Sequence, residues 1–375
     1  MADADNKAQL TRTWWAGTDA DADIHIEAYE GDIEGSFRAE SLFRASGLTN
    51  FKSVQNQTNT WRGDRIGAAT VKGRRSGEKL DSARIANEKF IVTVDTVAYI
   101  RTPFDYQDDW TSPDFKSEYS AEHGSAHAIS FDEAHVIQLI KCSAFVPPAS
   151  LQGSFHNGIA PVMTGYAALV ATTGPGRQAA LEQAADLIVQ EHKDVLTEYV
   201  KRRLGAGLAQ TVTLIEPDAF NVLLEHKKLM NVDFQGSSAT NDYSQRRIAV
   251  LNGCRVIEAP IFPTAGDVHP LGAAFNVSAA EAKAKFIVFF PQKALVTVEA
   301  QPMTVKVWDD HKEFQSNLDS YQMYTVGQRR PDAVGVGFAD YALVHHKSPA
   351  PLNWGAGFFF FVPKGVHHAT ATRGQ

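Results

Sequence analysis

Lys89-Phe-Ile-Val-Thr-Val-Asp-Thr-Val-Ala-Tyr-Ile-Arg101, with the run that follows it to Lys141, decides how the rest of the chain is read. The segment is rich in β-branched and aromatic residues and mostly alternates apolar with polar, as a half-buried strand does. An unbroken strand is expected. After Trp110-Thr-Ser-Pro113, Ser112 stands as an N-cap, Pro113 at the first helical position and Asp114 in the positive first turn, which predicts a helix start. Phe115, Tyr119, Ala126, Ile129, Val136, Ile137 and Ile140 then recur at helical spacing, with Lys116, Glu118, Asp132, Glu133 and Lys141 mostly off that face. Continuous to Lys141, such a helix spans roughly 40 Å at about 1.5 Å per residue, a scaffold rod rather than an ordinary domain helix.

Upstream, Phe51-Lys-Ser-Val-Gln55 alternates and then gives way to Gly63, Gly67, Gly73 and Gly77, interspersed with Arg62, Arg65, Lys72, Arg74, Arg75, Lys79 and Arg84. A stretch this polar cannot bury enough surface for a core of its own. It is a disordered loop or a hairpin that needs a neighbour. Since Lys89–Arg101 offers a second strand, a long two-stranded arm projecting from the body is the favoured reading, and alone it is only marginally stable. The basic content also admits a nucleic-acid loop, although Phe51 and Trp61 are not arranged as a stacking platform. Before it, Asp3, Asp5, Asp19, Asp21, Asp23, Glu27, Glu30, Asp32 and Glu34 make an extended or disordered acidic arm, with a short helix expected from Ile33 to Ser46. Trp14 and Trp15 favour an arm that lies on something.

Downstream of the rod, Phe145-Val-Pro-Pro-Ala149 ends it, and the small-residue stretch Leu151–Gly176 is the clearest domain boundary. A second helix follows Gly174-Pro-Gly176, with Leu181, Ala184, Ala185, Ile188, His192, Val195, Leu196 and Tyr199 inward and Lys201-Arg-Arg203 at its C-terminal dipole. Strands at 211–215, 247–251, 254–259 and 285–290, with a turn-helix at 217–224, predict a mixed sheet covered by helices, an α+β domain. Two further strands are expected at 295–299 and 303–308, then a polar bridge 309–313 and the segment Tyr321 to Arg330. From Tyr341 the composition changes to aromatic and His-containing. Gly357-Phe-Phe-Phe-Phe-Val362 reads as buried or as an interface.

At 375 residues and 44% hydrophobic, the chain has ample core without staples. Cys142 and Cys254 match no ligand spacing and read as small core residues, which fits an intracellular protein. No basic-then-apolar leader follows Met-Ala-Asp-Ala-Asp5, and no apolar run reaches the roughly 20 residues that cross a bilayer. No membrane role is expected. A net charge of -7 argues against a surface built for nucleic acid, so any DNA contact is loose or local.

Catalytic signals are thin. Glu122-His-Gly-Ser-Ala-His127 is not HExxH, so His123 and His127 read as a helix-surface coincidence. The pairs His345-His346 and His367-His368 diverge in a strand and lack a third ligand. There is no GxSxG, no GxxxxGK[ST] and no GxGxxG after a strand, and Gly335-Val-Gly337 is too short to count. No cofactor or metal is implied, and the weight moves from enzyme to assembly protein.

Arg38 to Arg44, the Gly-rich Arg62–Gly77 with Gly77-Glu-Lys-Leu-Asp81, Asp105-Tyr-Gln-Asp-Asp109 with Ser117-Glu-Tyr119, Pro217-Asp-Ala-Phe220 with Leu223, Asn252-Gly-Cys-Arg-Val-Ile-Glu-Ala-Pro260 and Tyr324-Thr-Val-Gly-Gln-Arg-Arg-Pro-Asp-Ala333 stand in one order from about Gly31 to Gly337. That order resembles the major capsid proteins of tailed bacteriophages, above all the short-tailed podovirus group. The resemblance implies the α+β fold shared by tailed-phage shells and encapsulins. Its parts would be an N-terminal arm at 1–49, an extended hairpin loop at 50–90 and a peripheral domain with the spine helix at 91–147. An axial domain at 148–295, a return to the peripheral domain at 296–340 and a C-terminal extension at 341–375 would follow.

It further implies a coat protein that assembles with itself as pentamers and hexamers around double-stranded DNA. A scaffolding protein, a portal protein and a possible decoration protein are the implied partners. The shell would be built in the host cytoplasm and end in the virion. Arg62, Arg65, Lys72, Arg74, Arg75, Lys79 and Arg84 would meet acidic groups of an adjacent subunit, and Trp14 and Trp15 would make arm contacts. Covalently cross-linked members use a loop Lys, for which Lys72 or Lys79 is placed, but the podovirus-like pattern argues against it. Two alternatives stay open at this point: an encapsulin-like compartment holding a cargo enzyme, and a soluble enzyme.

Overall fold

Two sheets divide the body, and their burial patterns differ for a physical reason. The computed structural model describes residues 41–55, 58–80, 82, 84–107, 116–204, 210–230, 241–243 and 246–340, all within one compact unit, Met1–Leu343. Expectations on Trp14, Trp15, the start of the rod at Ser112–Phe115, the first part of the Ile33–Ser46 helix and everything from Tyr341 fall outside the described residues.

The first sheet has strands β1 (Asn50–Ser53), β10 (Leu295–Asp310), β11 (Gln315–Gln328) and β4 (Val97–Asp105), in that order. β1 runs parallel to β10, and the other pairings are antiparallel. The second has six strands in the order β5 (Val162–Met163), β12 (Val334–Ala339), β9 (Ala284–Phe289), β6 (Val212–Ile215), β8 (Cys254–Glu258) and β7 (Val250–Leu251). Here β6 and β12 are buried along their whole length, as are all but one residue of β9. Continuous apolar runs are what a sheet covered on both faces requires.

The expected rod is α2 (Lys116–Cys142). Its Phe131, Ala134, Ile137 and Ile140 form one core with Leu214, Ile287, Phe289, Val334 and Phe338 on one face of the six-stranded sheet, joined by Leu295 and Tyr324 of the other sheet. Against the opposite face lie α4 (Arg177–Lys201) and α5 (Pro217–Leu224), whose Ile188, Val195, Tyr199, Phe220 and Leu223 pack on Ile215, Phe286 and Val288. All the inward residues foreseen on α4 are buried except Leu181, which is half-buried.

The structure corrects the reading of α2. Tyr119 and Ile129, placed on its buried face, are exposed, while Asp132, placed off it, is buried. His123 and His127 are no surface coincidence either: both are buried. His123 shares hydrogen bonds with Thr102 (2.8 Å) and Ser320 (3.1 Å), and His127 with the same Ser320 (3.0 Å). The N-terminal half of the rod therefore packs on the four-stranded sheet through polar side chains, which apolar periodicity cannot register. Asp132 accepts from Ser41 Oγ (2.6 Å) and from the backbone N–H of Leu42 (2.5 Å) and Phe43 (3.2 Å), capping the short helix α1 (Leu42–Ala45) from another element.

Two further corrections concern strands. The segment Lys89–Arg101 is not one strand: β3 (Asn87–Thr93) and β4 are separated at Val94–Thr96, where the chain leaves one sheet for another. Conversely, the two strands expected at 295–299 and 303–308 are one, β10, which keeps its course through register shifts around Gln301. The cysteines are free and buried, as expected.

Candidate assembly surface

The projecting arm is a two-stranded ribbon of β2 (Thr60–Ile66) and β3, paired antiparallel from Thr60↔Thr93 to Ile66↔Asn87. Its alternation sorts the side chains. Trp61, Gly63 and Arg65 face the body, with Arg62, Asp64 and Ile66 outward. Trp61 and Phe90 meet edge-to-face at 5.5 Å and lean on the cluster of Val54, Val92, Val94, Val296 and Val298. Gly63 sits between them because a Cβ there would come within 2.4 Å of the Phe90 ring. Asn50–Ser53, within the hairpin loop expected at 50–90, belongs instead to the four-stranded sheet as β1, so the ribbon proper begins at Thr60.

Arg65 ties the loop end of the ribbon to the body. Its guanidinium donates to the carbonyl oxygens of Gln328 (2.8 Å) and Arg329 (3.4 Å) and lies over the rings of Phe90 (4.7 Å) and Phe145 (5.3 Å). Burial lowers its pKa, against the raising effect of Glu88. Of the seven cations named from the sequence, this one is tied to the body of its own chain.

The others stand elsewhere. Arg62 is outward and pairs with Asp64 at 3.7 Å. Lys72, Arg74, Arg75, Lys79 and Arg84 are exposed on the loop between the strands, where Glu78 accepts from the Arg75 N–H (3.0 Å) and the Arg74 Nε–H donates to the Glu78 carbonyl. The loop brings these cations together around one open space lined by Lys72, Arg74, Lys79 and Arg84. Sequence reasoning missed the apolar side chains among them: Val71 is 98% and Leu80 84% exposed, and Ile66 and Ile91 are also open to solvent. Cations with bare aliphatic side chains on a two-stranded ribbon make a surface unfinished in the single chain. Among the described residues no three His, Cys, Asp or Glu are placed to hold a metal, and no helix is long and apolar enough to cross a membrane.

No protein-family model matches the chain, and no curated protein does. Among solved structures, the mature capsid of bacteriophage PhiM1 is 41% identical, with a TM-score of 0.73 over 90% of this chain and 98% of that one. The chain belongs to the phage major capsid proteins. The capsid of cyanophage P-SCSP1u (17% identity, TM-score 0.65, 84% of this chain and 93% of that one) shares the fold. So does the capsid of a native GTA particle (10%, TM-score 0.56, 86% and 98%). The α+β capsid fold expected from the sequence is thus the fold of this capsid protein.

Proposed function

We propose that the chain is the coat subunit of a virion, assembling with copies of itself as pentamers and hexamers into an icosahedral shell around packaged double-stranded DNA. Its role is structural. The observation that carries this reading is the 41% identity to a mature phage capsid over nine-tenths of the chain. The ribbon supports it independently, since Val71 and Leu80 stand bare on an element without a core of its own.

In this reading the six-stranded sheet with α4 and α5 forms the axial domain, the expected 148–295 joined by β12. The rod with the four-stranded sheet, β1 included, forms the peripheral domain, and the ribbon of β2 and β3 with the loop between them crosses to a neighbour. Arg62, Lys72, Arg74, Arg75, Lys79 and Arg84 would meet that neighbour's carboxylates, while Arg65 ties the loop end of the ribbon to its own body. Many moderate contacts of this kind suit a shell that closes round a scaffolding protein and later changes packing as DNA enters through a portal. An acidic chain, net -7, keeps the genome loosely held.

Negative-stain electron microscopy of the purified protein, alone and with its scaffolding partner, tests this: closed shells or capsomer rings are expected. A monodisperse monomer under both conditions would refute it. Reversing charge at Arg74 and Arg75 together is expected to abolish closed shells while leaving the subunit folded. Shells assembling normally would remove the loop cations from the interface.

A further inference from the structure

Beside the loop end of the ribbon lies a cleft walled by Asp64, Arg65, Ile66 and Phe90 of the ribbon and by Phe155, Lys293, Arg329 and Arg330 of the body. Lys293 and Arg329 are exposed, and Lys293 leans over the ring of Phe290 at 5.9 Å. Arg330 lies over Phe155 at 5.0 Å and pairs with the fully buried Asp332 at 3.2 Å. Among the described residues that is the single ion pair these four cations make; Asp64 at the cleft is engaged with Arg62, and Glu88, across the ribbon from Arg65, accepts from Ser150, which leaves the four cations in excess. The cleft is therefore net positive and floored with aromatic rings, a combination that suits an acidic peptide carrying apolar side chains. A nucleic-acid phosphate would use the cations and leave the rings, and the chain as a whole repels it.

The sequence holds one segment of that chemistry. Asp19, Asp21, Asp23, Glu27, Glu30, Asp32 and Glu34 follow one another with no Lys or Arg between them and with Ile24, Ile26, Tyr29 and Ile33 interleaved. The described chain resumes at Ser41 and is tied beside the cleft. Gln292, next to Lys293, donates its backbone N–H to the carbonyl of Leu48 (3.0 Å) and its side-chain amide to that of Gly47 (3.4 Å). Arg329 in turn donates to the Gln292 carbonyl at 3.4 Å. Glu34 stands seven residues before Ser41, a reach of roughly 23 Å extended.

We propose that the acidic run 19–34 docks in cis in the cleft of Arg65, Lys293, Arg329 and Arg330, making this cleft the seat of the N-terminal arm. The test is zero-length carbodiimide cross-linking of the full-length protein at low salt, with peptide mapping and separation on a denaturing gel. Lys141–Glu281 at 3.0 Å and Lys227–Glu182 at 2.8 Å serve as internal controls that must cross-link. Lys293 is expected joined to a carboxylate between Asp19 and Glu34, in the band of monomer mobility.

Three results overturn the proposal while the controls form: no Lys293 product, Lys293 joined only to carboxylates outside that run, or the product found only at dimer mobility. As an independent arm, K293E/R329E is expected to speed Glu-C cleavage at Glu27–Glu34 by about tenfold or more, since like charge now faces the run. The Lys141–Glu281 cross-link should survive in this variant. An unchanged cleavage rate with that control intact also overturns the proposal.

Discussion

Removing the carboxylate of Asp132 should cost more than any surface charge on this protein. It lies buried on α2 and accepts three hydrogen bonds from the start of α1, two of them from the backbone N–H groups of Leu42 and Phe43. Phe43, fully buried, stacks on His135 at 4.7 Å and packs near Phe289 at 6.4 Å, so the cap positions a core side chain. Asp132→Ala leaves both N–H groups without their acceptor; a lost cap costs about 1 kcal/mol, and a buried donor left unmade about 1 to 3 kcal/mol. Burial opposes ionisation of this carboxyl and raises its pKa, so relief of desolvation returns part of that cost.

The net expectation is about 2 kcal/mol, roughly 3 °C in the melting midpoint for a compact unit spanning Met1–Leu343. Asp132→Asn, which keeps one acceptor oxygen, should lose about half as much. Thermal melts of the unassembled subunit followed by near-ultraviolet circular dichroism measure both. If the Ala and Asn variants melt together, or the Ala variant melts with the parent, the acceptor does not hold α1 and the reasoning fails.

Acid should destabilise the subunit well above the carboxylate range. His135 is fully buried, donating from Nδ1 to the Phe131 carbonyl (2.7 Å) and accepting at Nε2 from Thr297 Oγ1 (2.7 Å), which fixes it neutral. Burial lowers its pKa to about 3 and that of His192, bonded to Thr213 and Asn252, to about 4, from 6.5. Between pH 6.5 and 4 the unfolded chain therefore binds protons that the folded one refuses. Stability present above pH 6.5 falls as pH drops, by about 1.4 kcal/mol per unit for each group at most. A urea midpoint that stays level from pH 7 to 5 would contradict this. Arg65→Ala should release the ribbon, raising hydrogen exchange of the β2 and β3 amides by about tenfold or more, because hydrogen bonds from a charged group contribute about 1.5 to 3 kcal/mol. Exchange equal to the parent's would mean that Trp61 and Phe90 hold the ribbon alone. Gly337→Ala would place a Cβ 2.1 Å from the Phe286 ring inside the six-stranded sheet and is expected to lower stability by about 1 to 3 kcal/mol, read as a lower melting midpoint. A neutral result would show that Phe286 can move.

The sequence by itself determined the parts that local physics controls. Helical periodicity predicted the rod seen over Lys116–Cys142, the inward face of α4 was legible residue by residue, and in the Gly-rich basic stretch the expected pair of strands is β2 with β3. The order of those parts was enough to place the family. What it could not give were the pairings, because a side chain's burial depends on which element arrives opposite it. Val94–Thr96 looks like mid-strand until one half pairs with β2 and the other with β11. Asp132, His123 and His127 look solvent-facing until α1 and the four-stranded sheet supply their hydrogen-bond partners. Gly335 and Gly337 looked like a motif too short to matter. Each marks a place where Val195 or Phe286 leaves no room for a Cβ, and nothing local to Gly-Val-Gly records that. Arg65, one of seven equivalent cations in the sequence, became the ribbon's tie to the body only because Gln328 and Arg329, more than 260 residues further along the chain, fold back beneath it. Non-local contacts of this kind carry no local signature, so the tertiary structure alone decided them.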